Sequence, residues 1–129
     1  MQIQETVIAG TGASIRVVIA DKRATFRRAL RTLLAPETGL TVVGEASDSE
    51  GVRVLAQQVE PDVIIIDVAL FYRLKNRAGP QSTFRTVVMV PTLQRADIIK
   101  AFLRGARAVV PKPSPVQIWS QSIRFVTRT

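Results

Sequence analysis

Apolar residues along this chain fall into runs of two kinds. Ile15 to Ala20 reads Ile-Arg-Val-Val-Ile-Ala and Val63 to Ile66 reads Val-Ile-Ile-Ile; each ends at an aspartate, Asp21 and Asp67. Short, β-branched, nearly continuous runs of this sort predict strands buried on both faces of a parallel sheet. Leu40 to Ala46, Thr86 to Val90 and Ala108 to Val110 predict three further strands. Between the strands, apolar residues recur at helical spacing. Phe26, Ala29, Leu30, Leu33 and Leu34 predict a helix with Arg27, Arg28 and Arg31 on its other face, closed by Pro36. Val52, Leu55, Ala56 and Val59 predict a second, opened by a capping box of Ser47 and Glu50. Ile98, Ile99, Phe102 and Leu103 are expected to face inward on a helix that Gly105 ends. Val116, Trp119, Ile123 and Val126 form the stripe of a last helix, with Ser114 and Pro115 suited to its N-cap and first turn.

Strand and helix thus alternate about five times. Parallel neighbours need crossovers, so this alternation implies an α/β fold with helices on both faces of the sheet. A flavodoxin-like, doubly wound sheet of five strands in the order 2-1-3-4-5 is the natural choice. Its functional crevice lies beyond the carboxyl ends of the central strands, where Asp21 and Asp67 should meet.

Composition narrows the chemistry. A chain of 129 residues that is 47% apolar suffices for one core. Residues 1–14 read as a flexible arm and 15–129 as a single domain, and no secretory signal is evident. The longest apolar runs are strand-sized, far short of the roughly 20 residues of a membrane helix, so a soluble, cytoplasmic protein is expected. There is no Cys and no His, which excludes thiol nucleophiles, thiolate or imidazole metal sites and histidine acid-base chemistry. Any metal must be a hard cation held by oxygen. A net charge of +8 invites an acidic partner or nucleic acid, against the plainer reading of a solvated basic surface. No phosphate-binding glycine loop or nucleophile elbow is visible, since Gly10-Thr11-Gly12 precedes the first strand; no independent enzymatic activity is expected.

Four runs carry a family resemblance: Ile-Arg-Val-Val-Ile-Ala-Asp (15–21), Val-Val-Gly-Glu-Ala-Ser-Asp (42–48), Pro-Asp-Val-Ile-Ile-Ile-Asp (61–67) and Gly-Ala-Arg-Ala-Val-Val-Pro-Lys-Pro (105–113). In order and spacing they resemble the receiver domains of bacterial two-component response regulators, most of all those that precede a helix-turn-helix output domain. The resemblance covers Ile15 to about Val126 and implies the CheY-like form of the fold. It implies that Asp67 stands at the phospho-acceptor position, Lys112 at the phosphate-contacting position, and Asp21 with Asp67 at the Mg²⁺ site. Phosphoryl transfer to a carboxylate needs such a cation and a fixed ammonium to neutralise the developing charge.

Several expected parts are replaced. The family carries adjacent acidic residues after the first strand, whereas this chain reads Asp21-Lys22; an ammonium there removes an oxygen ligand and repels the ion, so Mg²⁺ is expected to bind poorly. The hydroxyl residue that ends the fourth strand is Val90 in the simplest register, with Thr92 able to serve only if the loop is offset. The aromatic switch residue of the fifth strand is Val109. The stretch after Asp67 lacks the family's Met-Pro pair and is short, so a truncated third helix is expected. One expectation is that Lys22 and Lys112 both pair with Asp21 and Asp67 in a neutral four-charge cluster; the other is that Lys22 extends to water.

The leading functional expectation is therefore a pseudo-receiver: a phosphorylation-independent interaction or dimerisation module linked to transcription regulation. Its partner surface would be the fourth helix, fifth strand and fifth helix, with Lys100, Arg104 and Arg107 as polar contacts; DNA would be reached only through an output domain, and no membrane is involved. The second reading is a working receiver phosphorylated on Asp67 by a histidine kinase. The third is direct nucleic-acid binding through Arg23, Arg27, Arg28, Arg31, Arg73, Lys75 and Arg77, weakened by an aromatic content of only 5%.

Overall fold

A computed structural model describes residues 14–74 and 84–128. Strands β1 (Ile15–Ala20), β2 (Leu40–Ala46), β3 (Val63–Asp67), β4 (Arg85–Val90) and β5 (Ala108–Pro111) alternate with helices α1 (Ala24–Leu34), α2 (Ser49–Val59), α3 (Val68–Leu74), α4 (Arg95–Leu103) and α5 (Val116–Arg128). The strands form one sheet in the order β2-β1-β3-β4-β5, and every neighbouring pair is parallel. This is the doubly wound order expected from the sequence. The N-terminal arm lies outside the described residues.

Alternation along each strand divides the core into two layers. Val17, Ile19, Val63, Ile65, Val87 and Met89 point to one face, where Leu30 and Leu34 of α1 and Trp119, Ile123 and Val126 of α5 cover them. Val18, Ala20, Ile64, Ile66, Val88 and Val90 point to the other, beneath Val52 of α2, Leu70, Phe71 and Leu74 of α3 and Ala101 of α4. Continuous β-branched runs are needed because each strand is covered on both sides. Among the described residues, no helix is long and apolar enough to cross a membrane.

Three details differ from the sequence expectation. Helix α2 begins one residue late for a Ser47 capping box: Asp48 is the N-cap, and its carboxylate accepts the Gly51 N–H at 2.7 Å. On α1, Leu33 is 45% exposed, because Leu30 and Leu34 already fill the contact with the sheet. On α4, Ile99, Phe102 and Leu103 are exposed and the small Ala101 is the buried residue, so this helix lies close to the sheet through a side chain that periodicity passes over. Helix α3 has seven residues, as the expected truncation requires, and 75–83 lie outside the described residues.

Loss of the α2 cap tests this assignment. Asp48→Ala is expected to cost about 1 kcal/mol in urea unfolding, while Ser47→Ala changes stability by less than about 0.5 kcal/mol.

Candidate functional site

Parallel strands deliver their carboxyl ends to one edge of the sheet, and this edge gathers Asp21 after β1, Asp67 at the end of β3 and Lys112 after β5. The Lys112 ammonium bridges the two aspartates, with Nζ 2.7 Å from Asp21 Oδ2 and 2.8 Å from Asp67 Oδ1. The other oxygen of each carboxylate accepts a backbone N–H two residues on: Arg23 donates to Asp21 Oδ1 at 2.8 Å and Ala69 to Asp67 Oδ2 at 3.0 Å. Both carboxylates are thus fully engaged. Lys112 Nζ also lies 5.0 Å from the Phe26 ring centroid, so the ammonium is held by two anions and an aromatic face.

Burial makes this arrangement costly to disturb. The side chains of Asp21, Asp67 and Lys112 are 2%, 18% and 12% exposed. Charges taken out of water at these depths need paired, hydrogen-bonded partners. Lys112 is itself fixed: its N–H donates to Val90 O, its carbonyl accepts the Ser114 N–H, and the Ser114 hydroxyl donates to Pro111 O. Ser114 therefore braces the β5–α5 turn and does not cap α5 with its hydroxyl. Its carbonyl instead accepts the Trp119 indole N–H at 3.1 Å.

A second ionic group stands beside the first. Arg27 donates to the Asp21 carbonyl at 2.7 Å and to Glu45 Oε1 at 3.0 Å, and Arg31 reaches Glu45 Oε2 at 2.8 Å. Burial pushes the Glu45 carboxyl up, but the hydrogen bonds and charges of Arg31 and Arg27 outweigh it and hold the group below its ordinary value. Sequence reading missed Glu45, although a lone acid in an otherwise apolar strand facing a basic helix is the available signal.

The four-charge cluster is corrected. Lys22 is exposed and makes no ion pair with Asp21 or Asp67; Lys112 alone supplies the ammonium, because the turn into α1 aims Lys22 at water while Arg23 folds its N–H back onto Asp21. Arg23 adds a long contact, Nε to Asp21 Oδ1 at 3.8 Å, from a side chain that is mostly exposed. Val90 is buried at the end of β4, Thr92 is exposed beyond it, and Val109 is half-buried against the core layer of α3 and α4.

Asp21 and Asp67 are the carboxylates available to Mg²⁺ at this edge. An octahedral, oxygen-only shell has two carboxylates to draw on here, each already hydrogen-bonded and bridged by an ammonium, with Lys22 next in sequence to one of them. Among the described residues no group of three or more acidic side chains could hold a metal.

Two outcomes follow. Lys112→Met leaves two carboxylates without their counter-ion and is expected to destabilise the fold by about 3 kcal/mol in urea unfolding, whereas Lys22→Met changes it by less than about 0.5 kcal/mol. Because Glu45 is lowered in the folded state, its stabilisation is present above the unfolded glutamate value and is lost as pH falls through the folded one. Glu45→Gln should therefore flatten the decline in stability between about pH 5 and pH 3 in acid unfolding curves.

No protein-family model matches the chain. It is 33% identical over 111 residues to a protein-glutamate methylesterase/protein-glutamine glutaminase of Anaeromyxobacter dehalogenans, covering 81% of this chain and 31% of that protein. It is 41% identical over 56 residues to an uncharacterized transcriptional regulatory protein of Bacillus subtilis, covering 43% of this chain and 26% of the relative. The chain thus spans about three-tenths of the length of the curated relatives it matches. Among solved structures, a LuxR-family two-component response regulator from Aurantimonas superposes with a TM-score of 0.81 at 23% identity, covering 90% of this chain and 86% of that one. The response regulator domain of Thermotoga maritima CheB gives 0.76 at 21% identity, covering 90% and 98%. The protein has the CheY-like fold of response regulator receiver domains, and it is receiver-bearing proteins that its sequence and its structure resemble.

Proposed function

We propose that this chain works as a receiver domain of two-component signalling in an atypical form, a pseudo-receiver whose acceptor site is closed by its own ammonium. The observation that carries the reading is the charge set around Asp67: Lys112 holds it and Asp21 at 2.8 and 2.7 Å, and the residue beside Asp21, where the family places a second carboxylate, is the cation Lys22. A divalent ion entering from water would have to displace that ammonium and lie near the Lys22 charge. With Val90 and Val109 at the two switch positions, neither a hydroxyl nor a ring is available there to respond to a phosphoryl group. The domain then acts through protein contacts that do not depend on phosphate.

The surface best suited to such contacts is formed by α4, β5 and α5. Ile99, Phe102 and Leu103 on α4 and Ile118 and Phe125 on α5 are large apolar side chains that the domain leaves exposed. Arg107, in the turn that leads into β5, is an exposed basic residue of this face, and Lys100 and Arg104 at the end of α4 lie over the Tyr72 ring of α3. Similarity to a transcriptional regulator and to a LuxR-family response regulator supports a link to transcription, made through a DNA-binding output domain. Methylesterase chemistry is not assigned to this chain, which matches less than a third of the named esterase and contains no histidine. Direct nucleic-acid binding loses support, because Arg27 and Arg31 are engaged by Glu45; Lys75 and Arg77 lie outside the described residues.

Intact-mass measurement after incubation with acetyl phosphate and Mg²⁺ tests the proposal. The wild type is expected to gain no phosphoryl adduct, while Lys22→Asp, which restores a second carboxylate beside Asp21, gains one that Asp67→Asn abolishes. An Asp67-dependent adduct on the wild type would instead establish a working phospho-acceptor, the substrate of a histidine kinase.

A further inference from the structure

The exposed face of α4 has a weak hold on the domain. Of its nine residues only Ala101 is buried and Ile98 is half-buried. The Tyr72 ring lies beside the helix end, with Lys100 Nζ 4.6 Å and Arg104 Cζ 5.4 Å from its centroid. Tyr72 belongs to α3, the helix that starts directly after Asp67 and whose first turn is tied to the Asp67 carboxylate through the Ala69 N–H. One short helix therefore joins Asp67 to the clamp on α4. From these contacts we infer that Tyr72 is a positioning residue that couples the state of Asp67 to the placement of α4.

Both oxygens of Asp67 are engaged. Lys112 holds one and Ala69 the other, so any change of charge at Asp67 alters the pull on the first turn of α3. With only seven residues, α3 has little internal hydrogen bonding to absorb such a change. Leu70, Phe71 and Leu74 are buried in the core layer that also holds Ala101 of α4 and Val52 of α2. The Tyr72 ring lies 5.7 Å from the Phe71 ring at 45°, and its hydroxyl is buried with no hydrogen-bond partner among the described residues. The ring is thus fixed by its faces and not by its hydroxyl. The side chains of Val90 and Val109, on β4 and β5, offer apolar packing only, whereas the α3 contact is polar.

This coupling goes beyond the proposed function, since it requires a change at Asp67 but no phosphoryl group. It predicts a thermodynamic cycle in the amide hydrogen exchange of the full chain, followed by NMR at Ala101 to Arg104. Asp67→Asn is expected to speed exchange in α4 about fivefold in the wild-type background and equally in Tyr72→Phe, which keeps the ring. In Tyr72→Leu, α4 exchange is already fast and Asp67→Asn adds nothing. The pair Lys100→Met with Arg104→Met removes the clamp from exposed positions that folding does not need, and is expected to abolish the effect of Asp67→Asn in the same way. Protection of β1 and β3 amides reports that each variant is folded. An undiminished effect of Asp67→Asn in the clampless variants, or no effect of Asp67→Asn on α4 in the folded wild type, would overturn the inference.

Discussion

Everything at the carboxyl edge of the sheet depends on one ammonium held between two carboxylates, one buried and one half-buried. A parallel sheet brings the ends of β1, β3 and β5 to the same edge, and two aspartates placed there at low exposure repel each other unless a cation intervenes. Lys112 intervenes from the third strand end. The turn that carries it is braced by Val90 O, Pro111 O and the Trp119 indole, which links the site to the core layer beneath α1 and α5. The same bridge that stabilises the edge occupies the oxygens a metal would use.

The two core layers have unequal roles. Beneath α1 and α5, large side chains such as Trp119, Leu30 and Ile123 are fully buried and the helices are firmly seated. Beneath α3 and α4 the cover is thinner: α3 is short, and α4 contributes Ala101 as its buried residue. A helix that hides one alanine and exposes three large apolar residues has low local stability and a face ready for a partner. The Tyr72 clamp then matters more than a surface cation–π contact ordinarily would.

The strands and their order were legible in the sequence because fully buried parallel strands have no polar positions to confuse the pattern, as in Val63 to Ile66. That Asp21, Asp67 and Lys112 meet was legible because strand ends in this topology must converge. Lys22 was less so: adjacent residues after a strand point in different directions, and residue type alone does not say which of Lys22 and Arg23 turns back toward Asp21. The inward face of α4 was misread for a related reason. Ile98, Ile99, Phe102 and Leu103 outnumber Ala101 in any hydrophobic pattern, yet close approach to the sheet selects the small residue. Asp48 was passed over as a cap because Ser47 and Glu50 satisfy the capping-box spacing one residue earlier.

The proposed function rests on Lys112 holding Asp21 and Asp67 against a divalent ion. The most direct measurement is the ¹H–¹⁵N correlation of the Lys112 side-chain ammonium, recorded with and without millimolar Mg²⁺. An ammonium protected by two carboxylates exchanges slowly enough to be seen, and the account predicts a signal that Mg²⁺ leaves unchanged. Loss or displacement of that signal on adding Mg²⁺ would contradict it, since the ion would then have taken the carboxylates from Lys112.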